Sequence, residues 1–337
     1  MAALAFALAG GTMVSSPARA ETAELRIAQQ YGLGYLPFHV LKHNHLIENH
    51  ARAAGLGELN VTWVSLGGGS AMNEALLSGS VDLVSAGVAP FILLWAKTHG
   101  TLDVKRGGDV KGVAALDALP IALVTTNPKV KTVQDFTAKD RIAMPAVGVS
   151  IQAVTLQMAA EQAFGEGKHG VLDQYTVSLR HPDAYAALAS GRSEVTAHFA
   201  SPPFQEQELA LPGAHIVTDS YRVAGGPVPL NVVWTKARFR ADNPKLIAAF
   251  LAALREADTL IRADPAEAAR IYEAEDEVKL DPGLVLKIIT APEAHFTTQP
   301  LNITKYSDFL FKIGAIKVKP ESWKDLFFSD IHNEAGS

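Results

Sequence analysis

Short, dense apolar runs bounded by glycine, proline and small polar residues alternate along this chain with stretches whose apolar positions fall at helical spacing. That alternation predicts βαβ units and a mostly parallel sheet covered on both faces. Strands are expected at Glu24 to Gln29, Asn60 to Leu66, Val81 to Ala86 and Val113 to Leu116, with helices near Leu36 to Leu46, Ser70 to Ser78 and Pro90 to His99. Pro90 suits a first helical position and Gly100 a stop. A second series places strands at Ile121 to Thr125, Arg141 to Met144, Tyr175 to Leu179 and Val195 to Phe199, and helices near Ser150 to Phe164, Asp183 to Ser190 and Pro203 to Ala210. Ser220 to Pro229, carrying Gly225-Gly226-Pro227, reads as a linker. A strand at Leu230 to Trp234 and a long helix from Pro244 to about Ile261 follow, then helical segments at Pro265 to Glu275, Asp281 to Ile289, Ile303 to Ile313 and Pro320 to Phe328.

The two series look like copies. Ala75-Leu76-Leu77-Ser78-Gly79-Ser80-Val81-Asp82-Leu83 aligns without a gap against Ala187-Leu188-Ala189-Ser190-Gly191-Arg192-Ser193-Glu194-Val195, and the match extends to Pro90 and Pro202. Each copy is a helix end, a glycine where positive φ is needed, a short turn and an apolar strand. The duplication divides the chain into a first lobe, 21–117 with 227–337, and a second lobe, 118–226. Two crossings, near Leu116 to Ile121 and Ser220 to Pro229, are then expected to act as a hinge.

The order of these pieces resembles the type II periplasmic binding proteins, and specifically the nitrate, sulfonate and taurine binding family. The resemblance is carried by Leu25-Arg26-Ile27-Ala28 with Pro37, by Glu74 to Leu83, by Thr132 to Pro145, and by Ala187-Leu188-Ala189-Ser190-Gly191. It implies an α/β fold of two Rossmann-like lobes joined by a two-segment hinge. It also implies the substrate-binding component of an ABC importer: a monomer that works with a permease and its ATPase and performs no chemistry. The chain departs where members usually carry a glycine ahead of a Leu-Phe pair, since His45-Leu46-Ile47 stands there. That departure bears on a helix end rather than on a pocket.

Composition narrows the picture. The chain has 337 residues, 48% hydrophobic and 19% charged, with a net charge of −5. No run of Lys and Arg interleaves with aromatic residues, so a nucleic-acid binder is dropped. Ala2 to Val14 is small and apolar, and Ser15-Ser16-Pro17 then leads into Ala18-Arg19-Ala20, an A-x-A cleavage pattern. Residues 1–20 are therefore expected to be a signal peptide directing the protein to the periplasm, although no basic n-region precedes Ala2. The run is too short to span a bilayer. Without any cysteine there are no disulfides, thiolate nucleophiles, cysteine metal sites or lipid anchor.

Ligands of open parallel sheets sit beyond the carboxyl ends of the strands, beside helix N-termini. Five loops meet that description: Tyr31-Gly32-Leu33-Gly34-Tyr35, Gly67-Gly68-Gly69-Ser70, Gly87-Val88-Ala89, Val147-Gly148-Val149-Ser150 and Ala200-Ser201. Glycine lets backbone N–H groups approach a ligand, and free helix N-termini favour anions. The expected ligand contacts are Tyr31, Gly34, Tyr35, Gly68, Gly69, Ser70, Gly87, Val88, Ser150, Gln152, Phe199 and Ser201. Two readings stay open for Gly67 to Ser70, an anion cradle or a plain turn with Ser70 as N-cap. Ser150 and Gln152 hold the corresponding place in the second lobe. Tyr31, Tyr35 and Phe199 either wall the ligand's apolar part or belong to ordinary core packing.

None of these loops contains Lys, Arg, Asp or Glu. Neutral dipoles and hydroxyls suit an aliphatic sulfonate, sulfate ester, nitrate or carboxylate better than a phosphate. A zwitterion such as taurine would also need a carboxylate, for which Asp183 is the nearest candidate if it is not simply a helix cap. A metal could use His39 and His43, on one helix face, with His45 and His50, but no acidic ligand stands at metal spacing. No cofactor or metal is expected. The alternative is an enzyme on the same fold, either a synthase of pyrimidine precursors or a hydrolase. Against these stand the missing cysteine motif and the absence of a nucleophile-elbow pattern around Gly69-Ser70-Ala71.

Overall fold

The computed structural model describes residues 20–99, 108–275 and 280–337. The expected signal peptide, apart from Ala20, and the expected helix stop Gly100 lie outside them. Among the described residues ten strands form two five-stranded sheets. The first contains β1 (Glu24–Gln29), β2 (Asn60–Ser65), β3 (Leu83–Gly87), β4 (Val110–Ala115) and β10 (Asn231–Lys236), in the order β2-β1-β3-β10-β4. The second contains β5 (Ala122–Thr125), β6 (Ile142–Met144), β7 (Thr176–Ser178), β8 (Ala197–Ala200) and β9 (His215–Asp219), in the order β7-β6-β8-β5-β9.

The two orders are the same plan. In each sheet three parallel strands stand together, β2-β1-β3 and β7-β6-β8, and the next strand runs antiparallel, β10 in the first and β5 in the second. The chain crosses between sheets twice, from β4 to β5 and from β9 back to β10. Parallel strands need a crossover helix, and the fully buried run of β3 shows a strand covered on both faces. The helices are α1 (Leu36–His43), α2 (Leu46–Ala53), α3 (Gly69–Ser78), α4 (Val88–Thr98), α5 (Ile151–Phe164), α6 (His181–Ser190), α7 (Phe204–Leu209), α8 (Ser220–Ala224), α9 (Ala237–Asp242), α10 (Pro244–Ala263), α11 (Pro265–Glu275), α12 (Pro282–Ile289), α13 (Thr304–Lys312) and α14 (Trp323–Leu326).

Gly79 and Gly191, the paired glycines of the two copies, end α3 and α6 at φ 79° and 61°, the left-handed conformation that an L side chain resists. The gapless match nonetheless slips beyond them. Leu83 pairs with Ile27 whereas Ala197, not Val195, pairs with Ile142, so the turn after Gly191 is two residues longer.

Several elements differ from expectation. The helix expected over Leu36 to Leu46 breaks at Asn44, because His45 adopts φ 51°, ψ 37° and a new helix, α2, starts behind it. Gly87, not the residue before Pro90, caps α4, which puts Pro90 at its third position, two further inside than expected. Strand β9 and helix α8 lie where no strand was expected and where a linker was expected. The last expected helix shrinks to α14, opened by a capping box between Ser322 and Asp325. Behind it Phe327 lies on Gly112 of β4 and against Phe91, and Trp95 Nε1 donates to the Asp325 carbonyl at 3.1 Å. The C-terminal segment thus packs onto the first sheet.

Candidate functional site

The strand ends of both sheets face one cleft, part of it open to solvent. Of the expected contacts, Tyr31, Gly34, Tyr35, Gly69, Gly87, Ser150, Gln152 and Ser201 line it. Gly68, Ser70, Val88 and Phe199 do not. Val88 and Phe199 are fully buried in the hydrophobic core, Phe199 beside Leu123 on the neighbouring strand. Ser70 is exposed and is the second residue of α3, whose N-cap is Gly68, so it caps nothing. Gly68 stands against the opposite loop, where a Cβ would lie 3.2 Å from the Pro145 carbonyl oxygen. At Gly69 an added Cβ would lie 2.5 Å from Pro90 Cγ, so this glycine also serves the packing of α3 on α4.

The first-sheet wall is built on a buried polar floor. Tyr35 Oη donates toward the Ser85 carbonyl at 3.1 Å and Asn231 Oδ1 at 3.0 Å. Asn231 in turn donates from its backbone N to Asp117 Oδ1 at 2.8 Å and from Nδ2 to Oδ2 at 3.2 Å. Asp117 is fully buried, and that burial pushes its carboxyl well above the usual range. A side chain at Gly34 would run into Asp117 and Asn231, which explains the glycine there. On the second-sheet side, Ser150 caps α5 by accepting from the Ala153 amide at 3.1 Å.

Four helix N-termini converge on the cleft: Gly69 is the first residue of α3, Gly87 the N-cap of α4, Ser150 the N-cap of α5 and His181 the first residue of α6. Their unpaired N–H groups and aligned dipoles make the space attractive to negative charge. No lining residue is Lys, Arg, Asp or Glu. A cation nevertheless stands beside it: the Arg180 guanidinium lies 5.9 Å from the centre of the Tyr31 ring, and its stem lies along Gly67. Asp183 does not line the cleft and caps no helix; it holds Arg180 Nε at 2.7 Å.

Gln30, Pro90, Pro145, Ile151, His181, Leu230 and Asn231 also line the cleft and were not expected there. His181 was legible, because the gapless alignment that pairs Gly79 with Gly191 also pairs Gly69 with His181. Leu230 and Asn231 depend on β10 running antiparallel, which brings its start to the same edge as the ends of the parallel strands.

The histidines weighed as metal ligands are spread apart. His39 stands edge-on to Tyr272, His43 bonds Glu275 at 3.2 Å, His45 lies 3.7 Å from Glu48, and His50 bonds Glu256 at 2.6 Å. Among the described residues no group of three or more His, Cys, Asp or Glu side chains is placed to hold a metal.

Two matched five-stranded sheets, with a cleft at their facing edges, define the type II periplasmic binding protein fold. Residues 77–268 match the model of the NMT1/THI5-like family, and the chain belongs to that family. Among solved structures it is similar to the alkanesulfonate-binding protein SsuA of Xanthomonas axonopodis pv. citri bound to MOPS, with TM-score 0.68 and 20% identity over 89% of this chain and 96% of that one. The periplasmic aliphatic sulphonate binding protein SsuA of Escherichia coli gives TM-score 0.65 and 22% identity over 92% and 99%. The periplasmic nitrate-binding protein NrtA of Synechocystis PCC 6803 gives TM-score 0.65 and 14% identity over 88% and 83%. No curated protein matches the sequence.

Proposed function

We propose that this protein is the periplasmic substrate-binding component of an ABC importer, and that it captures a small organic anion of the aliphatic sulfonate, sulfate ester, nitrate or carboxylate class. The observation that carries this reading is the meeting of four helix N-termini in a cleft lined by no charged side chain. Each terminus supplies about half a positive charge and free N–H donors, which suits a monoanion. A phosphate would call for a lining cation. The alkanesulfonate, sulphonate and nitrate proteins of the same fold support the class.

In this reading residues 21–117 with 227–337 form one lobe and 118–226 the other, closing about the two crossings. Residues 1–20 direct export, and the loaded monomer delivers its anion to a permease and ATPase. Capture needs no bond-making, so no turnover is expected. A thermal-shift panel of ethanesulfonate, methyl sulfate, nitrate and acetate tests the reading. A bound member at 100 times its Kd should add about 2.7 kcal/mol of stability. A panel without any shift would remove the binding claim, and chemical conversion of a bound member would favour an enzyme instead.

A further inference from the structure

Behind the cleft wall contributed by α6 runs a line of buried polar side chains. Gln152 Nε2 and His181 Nε2 are 3.3 Å apart, His181 Nδ1 and His198 Nε2 2.8 Å, and His198 Nδ1 and Glu208 Oε1 2.5 Å. Gln152 and His181 line the cleft. His198 on β8 and Glu208 on α7 are 0% exposed. Phe204 of α7 stacks on His181, and β5 and β6 set Val124 and Ala143 beside His198, so these elements bring no charge to the line. The other acid acting near Glu208 is Glu206, on the same helix. Among the described residues no Lys or Arg pairs with Glu208, and its Oε2 has no hydrogen-bond partner.

A buried carboxylate with no cation and one bare oxygen is a costly place for a full charge, whereas a carboxylic acid there is not. Burial accordingly pushes the Glu208 carboxyl up to about 9 and holds the His198 imidazole down to about 3. With the proton on Glu208, only one direction of hydrogen bonding runs through the line. Glu208 Oε1–H donates to His198 Nδ1, and His198 Nε2–H donates to His181 Nδ1. The His181 proton must then sit on Nε2, beside Gln152, whose amide presents its oxygen there.

We infer that His181 is a specificity-determining donor of the anion site, held in its Nε2–H tautomer by Glu208 acting through His198. The cleft thereby offers an N–H to an acceptor-only anionic oxygen, which replaces the Gln152 amide oxygen, without placing a cation in the wall. This rests on the cleft being the anion site. Loss of one proton from Glu208 to solvent reverses the line: Glu208 accepts from His198 Nδ1–H, His198 Nε2 accepts from His181 Nδ1–H, and His181 Nε2 turns a lone pair toward the anion. Affinity then falls about tenfold per pH unit above the ionisation of Glu208.

Calorimetric titration with sodium ethanesulfonate, methyl sulfate, nitrate and acetate between pH 7 and pH 10, combined with imidazole nitrogen NMR of the unaltered protein at pH 7, tests this. The spectra should place the His181 proton on Nε2, and affinity should be level at pH 7 to 8 and fall above about pH 9. Glu208→Leu should weaken binding at pH 7. Glu208→Gln, whose amide N–H donates to His198 Nδ1 in the same sense, should restore it and abolish the alkaline fall. A His181 proton on Nδ1, a level profile to pH 10, or the same fall in Glu208→Gln overturns the inference. If none of the four anions binds, the anion site itself fails and the donor role of His181 with it, while the spectra still decide whether Glu208 sets the tautomer.

Discussion

Gly87 and Ile151 meet across the cleft so closely that a Cβ built on Gly87 would lie 2.7 Å from Ile151 Cγ2. Gly87 ends β3 and caps α4 in the first sheet's layer, and Ile151 opens α5 in the second's, so their contact measures how far the two halves approach. At φ −56° the Gly87 backbone suits alanine. Gly87→Ala should therefore hold the halves apart and weaken anion binding at least tenfold, about 1.4 kcal/mol, while the melting temperature without ligand stays nearly unchanged. Calorimetry and a thermal melt on the same preparation check both; unchanged affinity would show that this contact plays no part in closure.

Ser70 and Ser150 separate the two readings of the serine-bearing loops. Ser150 Oγ accepts from the Ala153 amide, and its own proton is free for an anion. Ser150→Ala should lose about 1 kcal/mol of stability through the cap and about 1.5 to 3 kcal/mol of affinity through the charged hydrogen bond. Ser70 is exposed and caps no helix, so Ser70→Ala should leave stability within about 0.5 kcal/mol and affinity unchanged. Denaturant titration with calorimetry reads both, and a large loss of affinity at Ser70 would reinstate it as a contact.

His45 carries a backbone strain that glycine would relieve. It sits at φ 51° between α1 and α2 with its side chain 75% exposed, 3.7 Å from Glu48. Left-handed backbone costs an L residue about 1 to 2 kcal/mol, and the entropy that glycine loses on folding offsets part of the gain. His45→Gly should raise stability by about 0.5 to 1 kcal/mol, since the exposed ion pair it removes contributes little. The denaturation midpoint should rise without a change in slope.

Asp258 gives stability a pH dependence of definite sign. It is 3% exposed on α10, its Oδ1 has no partner, and burial pushes its carboxyl up to about 8. The unfolded chain releases this proton near pH 4, so between about 4 and 8 the folded state binds more protons and each step up in pH favours unfolding. Asp258 therefore stabilises fully below about pH 4 and loses that contribution as pH rises through 8. Asp258→Asn cannot ionise, so its stability relative to the natural protein should improve steadily from pH 4 to pH 8. A constant difference in chemical denaturation would rule out this titration.

The alternation of apolar runs was enough to place the central strands, because β3 and β8 are buried throughout and their composition reflects that. The repeat aligned the ends of α3 and α6, and carried six residues towards the N-terminus it pairs Gly69 with His181, whereas Ser150 and Gln152, expected opposite Gly67 to Ser70, stand at the start of α5. Helix α2 stayed hidden because the break before it is made by His45, in left-handed backbone, rather than by the glycine that usually announces such a break. Strand β9 stayed hidden because it is a five-residue outer strand with mixed exposure, and Ile216 is 46% exposed. Phe199, left open between the ligand's wall and core packing, lies in the core. Sequence locates a residue at a strand end but not the face to which it points, and one step of register separates cleft from core. The line from His181 to Glu208 depends on contacts between α6, β8 and α7 that no local pattern encodes.

The position of β10 sets an order in time. It lies between β3 and β4, and β4 also meets the backbone of Thr298 and of Phe327 and Phe328, so all these neighbours of β4 are synthesised long after it. The second sheet, by contrast, uses only residues from Ala122 to Asp219, one uninterrupted stretch. A nascent chain halted at Pro229 carries every strand of the second sheet and an unfinished first one, with β3 and β4 each presenting a bare edge. Such edges are templates for pairing with other chains. The half of the protein that leaves the ribosome first is thus the half that waits longest for completion, and its exposure to misassembly lasts until the segment beginning at Asn231 arrives.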